Sequence, residues 1–303
     1  MIREAHSTSV ADSAIQKLVP PNPNYSIVQL ENGASSLRSE REGETFHPVT
    51  GPVTEPENLY VQQLRLPERL ASHSGTFVVW DVGLGAAANP IAFLRAADHL
   101  SGTTLILSFD STLAPLEFAL AHARELGYLA EFQQPLESLR QEQQVRFNVK
   151  GLEVEWRLHL KDFPRFLASS EAQSLPPPDA ILYDPFSPAR NPSMWTEELF
   201  KKLSQRMDPA RPCALASYSR STFVRVSLLL AGLFVGVGQA TGEKEETTVA
   251  ANTTTLINAP LDRRWLARVR RSTSAEPLPQ GIYRQARLSS ANWEKLIGHP
   301  QFA

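Results

Sequence analysis

Cysteine is almost absent: Cys213 is the only one in 303 residues, so no internal disulfide can form and the sequence suits a reducing compartment. Cys213 opens an apolar run to Ala216, which reads as core packing and not as a nucleophile. No uninterrupted apolar stretch approaches the ~20 residues a membrane helix needs. Arg3, Glu4, His6 and Asp12 break up the amino terminus, which lacks the apolar centre of a secretory signal. A cytoplasmic location is expected. The seven histidines (6, 47, 73, 99, 122, 159 and 299) have no ligand-like spacing, so no metal is expected. A net charge of -2 leaves no global signature of a nucleic-acid binder, only local basic patches such as the five arginines between Arg263 and Arg271. No repeat or heptad is present, and nothing in the sequence sets the oligomeric state.

Against these absences stands a 42% hydrophobic content, enough for one large core. Residues 1–24 are rich in Ser, Pro and Asn and are expected to be a disordered tail. Residues 25–70 read as a β-rich lead-in that covers one side of the main domain, with strands around Ile27–Leu30 and Ser36–Arg38, a turn at Glu31-Asn32-Gly33, and a short helix over Glu55–Leu64. The body spans 71–258. Its strands are expected at Thr76–Val82, Thr103–Phe109, Val145–Val149, Leu152–Leu160, a run ending at Tyr183, Cys213–Tyr218, Phe234–Val237 and Thr247–Leu256. Helices are expected at Asn89–Leu100, Leu113–Leu126, Trp195–Met207 and Phe223–Ala231. Lys150-Gly151 reads as a hairpin turn. Strands alternating with helices predict an α/β fold, a doubly wound, mostly parallel seven-stranded sheet with an antiparallel edge. Residues 259–303 form a basic carboxy-terminal extension.

The densest chemistry lies at strand ends. Ala180–Tyr183 is a short apolar run that stops at Asp184, followed by Pro185, Pro188 and Pro192. That is a buried strand with an acid at its carboxyl end, on a loop stiffened by fixed φ angles. Trp80-Asp81-Val82-Gly83-Leu84-Gly85 ends the first body strand, and Asn89-Pro90 suits the start of the helix that follows. Glycines 83 and 85 permit a close backbone approach to a nucleotide-like ligand. An acid at Asp81 disfavours a pyrophosphate and favours a sulfonium or amino group, which points from NAD towards S-adenosylmethionine. An ordinary strand–turn–helix without a ligand fits the same residues. Asp110 ends the second strand, 25 positions after Gly85, where an acid accepts ribose hydroxyls or caps a helix. Asp162 is placed to meet an adenine amino group or to cap the next helix. Four acids (81, 110, 162 and 184) at four strand ends are expected to share one crevice.

With these residues in hand, the chain resembles class I S-adenosylmethionine-dependent methyltransferases. Asp184-Pro185-Phe186-Ser187-Pro188-Ala189-Arg190-Asn191-Pro192-Ser193-Met194-Trp195 is similar to the hallmark run of the tRNA 5-methylaminomethyl-2-thiouridine methyltransferases. Leu37-Arg38-Ser39, Glu44-Thr45-Phe46-His47, Ser217-Tyr218-Ser219, Val224-Arg225, and Gly242-Glu243-Lys244 with Thr248-Val249-Ala250 extend the likeness over residues 25 to 256. The resemblance implies N-methylation of an aminomethyl group on a wobble uridine of tRNA, on a group already formed, since 303 residues leave no room for the flavin oxidase domain fused in many relatives. It implies that Asp184 orients the amine and accepts its proton, with Ser187 and Asn191 as hydrogen-bond partners and Phe186 and Trp195 as a stacking wall. His47 would touch substrate and Glu55 the methionine amino group. Each has a plainer reading: a turn residue for His47, a helix-start acid for Glu55, a packed aromatic for Phe186 and Trp195.

Two departures stand out. Ala87 replaces a third glycine, and Glu243, Glu245 and Glu246 surround Lys244 where relatives are basic. The arginines at 263–271 would compensate as an RNA contact, or form a solvated helix face. Two other readings remain open. An aminopropyltransferase of the spermidine synthase type shares the strand-end acid, and a non-catalytic RNA- or protein-binding module would tolerate the alanines.

Overall fold

Short alternating segments at the amino-terminal end pair with one another before the main sheet begins. In the computed structural model, which describes residues 24–241 and 245–303, Tyr25–Gln29 (β1), Ser35–Ser39 (β2) and Glu44–Thr45 (β3) form an antiparallel three-stranded sheet in the order β1-β2-β3. The expected tail and the Gly242-Glu243-Lys244 match lie outside the described residues, Asn24 excepted. A helical segment follows, a helix over Gly51–Pro56 that runs into a wider π-helical turn over Glu57–Gln62. Such turns concentrate at functional sites, and this one carries the fully buried Tyr60.

The body is built on Thr76–Val82 (β4), Gly102–Asp110 (β5), Gln144–Val149 (β6), Leu152–Leu160 (β7), Ala180–Tyr183 (β8), Ala214–Ser217 (β9), Phe234–Gly238 (β10) and Thr247–Ala251 (β11). They form one sheet in the order β10-β11-β9-β8-β4-β5-β7-β6. The four central pairings are parallel. The sheet has eight strands, one for each expected strand segment, so all eight join it and not seven. β6 is the first arm of the expected hairpin: the Lys150-Gly151 turn folds it back antiparallel onto β7, with φ +50 and +115 at the two turn residues. Antiparallel pairing at β9-β11-β10 makes the opposite edge antiparallel too.

Strand residues bury alternately on two faces, and each face has its own core. Phe77, Val79 and Ile106 pack with Ile91, Leu94 and Leu136; Val78, Trp80 and Leu107 pack with Phe163, Phe200 and Phe223 on the other side. Helices thus cover both faces, the arrangement that leaves a parallel sheet buried. Leu261, Trp265, Val269, Leu296 and Phe302 all join the second core, so the carboxy-terminal residues complete a layer. The basic helix expected there is Arg263–Arg271, capped by Asp262.

Other boundaries moved for local reasons. The expected helix over Leu113–Leu126 is two helices, Ala114–Ala121 and Ala123–Leu126, closed by Gly127 at φ +75. His122 separates them, with its ring stacked on Phe118. Trp195 ends a 3-10 turn over Pro192–Trp195, and the next helix, Glu197–Ser204, takes Thr196 as its cap. Helices over Gln133–Glu142 and Ser290–Ile297 had no clear signal, since the first buries only Leu136 and Leu139 and the second only Leu296. Among the described residues, no helix is long and apolar enough to cross a membrane.

Candidate active site at the switch point of the sheet

The chain leaves β4 for β5 and β7 on one side and later returns to β8 on the other. This reversal opens a crevice beyond the carboxyl ends of β4 and β8. A cavity of about 520 Å³ fills it, walled by Gly83, Gly85, Asp110, Asp162 and Asp184 from the body and by Glu44, Phe46, His47 and Glu55 from the lead-in.

Asp184 follows β8 and is half-buried in the wall. Its Oδ2 accepts from Asn89 Nδ2 at 2.9 Å. Asn89 lies within the first turn of the helix Ala88–Ala96 and spends its amide on Asp184, so it is not the cap expected. The cap position belongs to Ala87, which holds φ +62 without a glycine. The Tyr60 hydroxyl faces Asp184 from behind; burial, then the Asp184 charge and a hydrogen bond to it, push the phenol well above its ordinary range. Tyr218 closes the same wall, and its hydroxyl donates to the Pro185 carbonyl at 2.9 Å.

The glycines answer to the protein's own packing. At Gly83, φ is +98 and a Cβ would sit 2.6 Å from the Asp184 carbonyl oxygen; at Gly85, φ is +51 and a Cβ would sit 2.9 Å from the Phe46 ring. Either side chain would push the acid or the lead-in out of place. Asp110 ties down the same turn: its carboxylate accepts from the amides of Gly85 at 3.0 Å, Ser111 at 2.7 Å and Thr112 at 3.2 Å. Burial nonetheless raises its pKa, against those three donors. Asp162 does both things the sequence allowed, lining the cavity and capping the helix Phe163–Leu167 through the Arg165 amide at 3.0 Å.

Two expected site residues are elsewhere. Asp81 is fully buried and absent from the cavity wall. Its side chain points into the first core, one pleat behind the crevice, where Ser108 Oγ donates to Oδ2 at 2.7 Å and Trp156 Nε1 donates to Ser108 at 2.9 Å. Three of the four acids therefore meet, not four. Burial, opposed by the Ser108 hydroxyl and reinforced by the charges of Asp184 and Asp110, pushes Asp81 up to about 8. Trp195 is also fully buried and offers no face to a base. It packs edge-on against Tyr183 and Tyr218 and donates from Nε1 to the Phe186 carbonyl at 2.9 Å, which sets the proline loop from inside. An aromatic two turns of loop away from an acid can face either way, and the core captured this one.

Phe186 stays in the wall, edge-on to Phe46 with centroids 5.5 Å apart. Asn191 lines it too and accepts from Ser193 Oγ at 3.0 Å. Ser187 is engaged already: its amide donates to Glu44 Oε2 at 3.1 Å and its hydroxyl to Glu44 Oε1. His47 sits at the rim in the left-handed region, φ +47. Glu44 entered the sequence reading only within the Glu44-Thr45-Phe46-His47 likeness and without a role, and Tyr60 not at all, because the contacts that matter bridge 143 and 123 positions.

A family model described as S-adenosyl-L-methionine-dependent methyltransferase matches residues 126–253. The tRNA 5-methylaminomethyl-2-thiouridine biosynthesis bifunctional protein MnmC of Aeromonas hydrophila is 32% identical over 230 residues, 71% of this chain and 34% of that protein. Its counterpart from Pseudomonas putida is 29% identical over 240 residues, 76% of this chain and 35% of that protein. MNMC2 from Aquifex aeolicus superposes with a TM-score of 0.66 at 23% identity, covering 92% of this chain and 85% of that one. The chain belongs to the methyltransferase family of the MnmC proteins. It spans about a third of the length of these curated MnmC relatives.

The wall suits the donor that the family description names. Its volume is in the range that holds cofactors. Asn89 Oδ1 is buried with no hydrogen-bond partner among the described residues. A buried acceptor left unmet costs about 1–3 kcal/mol, so the wall lacks a donor from within the cavity. Asp110, Asp162 and Glu55 add further acceptors facing the same space. Arg38 and Lys161 also line the space, but the carboxylates outnumber them, and an acid-rich lining suits a ligand rich in amino groups and hydroxyls and carrying positive charge.

Proposed function

We propose that this chain is an S-adenosylmethionine-dependent N-methyltransferase that acts on the aminomethyl group of a 5-aminomethyl-(2-thio)uridine at the wobble position of tRNA. The observation that carries this reading is Asp184, half-buried in the same wall as the Gly83–Gly85 turn and oriented by Asn89.

Gly83, Gly85, Asn89, Asp110, Asp162 and Glu55 would hold the cofactor, with Asp110 on ribose hydroxyls and the buried Glu55 on the amino acid end. When bound, S-adenosylmethionine supplies an electrophilic methyl group on a sulfonium sulfur. Little further chemistry is required of the protein beyond placing a neutral amine in line in a dry pocket. Asp184 does this through its carboxylate, which accepts a hydrogen bond from the amine and so aims its lone pair. As the nitrogen gains a carbon it sheds a proton, and Asp184 is the base in reach. Asn89 keeps that carboxylate from rotating, and Tyr60 supports it from the core. Phe186 and Phe46 offer the aromatic face against which an extruded base stacks, in place of Trp195. His47 and Asn191 stand at the rim, where they would meet the rest of the nucleoside.

The test is incubation with labelled S-adenosylmethionine and tRNA that carries the unmethylated aminomethyl group, followed by identification of the labelled nucleoside. Label on the methylaminomethyl uridine is the expected result. Label on a polyamine or a small metabolite would overturn the assignment. Asp184→Asn should keep cofactor affinity within about threefold and lower turnover by about 100-fold or more. Wild-type turnover in that variant would remove Asp184 from the mechanism.

A further inference from the structure

The five arginines of 263–271 were the expected RNA contact, yet three are committed within the protein. Arg263 donates to the Phe302 carbonyl at 2.8 Å, Arg268 pairs with Glu246 at 2.9 Å, and Arg270 lies 4.3 Å over the Trp293 ring. Basic residues with nothing to hold are found elsewhere. Arg284 and Arg287 are exposed, and neither side chain has a partner among the described residues. They flank a surface of unusual composition. Ile282 is 62% and Tyr283 40% exposed, two of four large hydrophobic residues that the described surface displays.

This strap, residues 279–287, is fixed beside the cavity mouth. Gly281, at φ +73, brings its backbone so close to Ser193 that a Cβ would lie 3.1 Å from the Ser193 Cα. Farther along, the Ala286 carbonyl accepts from the amides of Ala275 at 2.9 Å and Glu276 at 3.1 Å. Tyr283 is steadied by Gln285, whose amide donates to its hydroxyl at 3.1 Å. A second hollow of about 570 Å³ runs under the strap, and Pro164 and Ser193 belong to the walls of both hollows. A small substrate would need only the first hollow. A polymer with one residue in the cavity has a continuous path over Ser193 to the strap.

Resting on the function proposed above, we infer that the strap is the docking track for the single-stranded nucleotides next to the reacting base. A neighbouring base stacks on Tyr283, and the phosphates beyond it meet Arg284 and Arg287. Exposed aromatics interleaved with unpaired arginines are the surface chemistry of single-strand binding, where stacking tolerates any base and guanidinium groups take the backbone. The same groups serve duplex RNA poorly, because stacked bases hide their faces.

The test compares wild type with Tyr283→Ala, Tyr283→Phe and the double variant Arg284→Ala/Arg287→Ala. Tyr283→Ala and the double variant should raise the KM for tRNA about tenfold, with kcat and S-adenosylmethionine affinity unchanged. Tyr283→Phe, which keeps the ring, should match wild type. For a single-stranded RNA oligonucleotide followed by fluorescence anisotropy, the double variant should flatten the slope of log affinity against log salt by about 1.4, two phosphate contacts' worth. Unchanged KM and slope in all variants of an active enzyme would overturn the track alone. So would a change in oligomeric state with KM intact, which would make the strap an interface between copies of this chain. A wild type that binds S-adenosylmethionine but methylates no tRNA would instead overturn the function, and the track with it.

Discussion

Asp81 and Asp184 end neighbouring parallel strands after similar apolar runs, yet only Asp184 reaches the cavity. The difference is two positions of register, since Asp81 stands opposite Leu182. Asp184 lies just past β8, where the chain turns into the crevice, whereas Asp81 is the penultimate residue of β4 and its pleat points it into a helix-covered face. A titration follows from its surroundings. Asp81 has a carboxyl pKa near 3.8 when unfolded and about 8 when folded, so folding takes up a proton between those values. The native state is then favoured at the acid end of that window and loses ground as pH rises through it, by up to about 1.4 kcal/mol per unit. Asp110, raised in the same direction by burial, adds to the trend. Asp81→Asn mimics the protonated form and does not titrate. Its melting temperature should gain on wild type from pH 5 to about pH 8 and level off above it. Parallel melting curves across that range would show that Asp81 does not drive the trend.

Among elements, the lead-in contributes more to the site than its small size suggests. Its last strand brings Glu44 to both polar groups of Ser187, 143 positions away, and Phe46 covers Gly85, so the lead-in closes the wall. Glu44→Ala should cut turnover by roughly 10 to 100-fold through loss of placement, with a stability loss of only about 1 kcal/mol. Hydrogen exchange over residues 35–46 should quicken at the same time. Unchanged exchange with unchanged turnover would mean the latch is dispensable. Strand positions were readable because central parallel strands are near-continuous apolar runs, where β4 and β5 fell, and because β7 alternates apolar and polar residues from Leu152 to Leu160. Helices that bury one or two residues, such as Gln133–Glu142, have too weak a period to read. The break at His122 came from a side chain that competes for the Phe118 carbonyl, a local choice that propensity does not register.

On the scale of the molecule, the acceptor-rich cavity and the unmet Asn89 oxygen imply a binding energy that folding alone leaves unused. Saturation with S-adenosylmethionine at 100 times Kd should raise Tm by roughly 5 °C. No shift would favour the non-catalytic module. The carboxy-terminal residues matter at this scale as well. What composition presented as a basic extension closes the second core through Trp265, Val269 and Phe302, and spends most of its helix's arginines on internal contacts.

The sequence by itself determined the strand-helix alternation, the hairpin at Lys150-Gly151 and the acid-proline run at Asp184, because each is a matter of neighbouring residues and their backbone preferences. Only the tertiary structure decided that Trp195 would turn inward, that Asp81 would stand behind the cavity, that Glu44 would join its wall with Tyr60 behind Asp184, and that the 279–287 strap would lie against Ser193. Those outcomes depend on which faces meet across the sheet, and residues far apart in the chain become neighbours only once their apolar sides have been buried together.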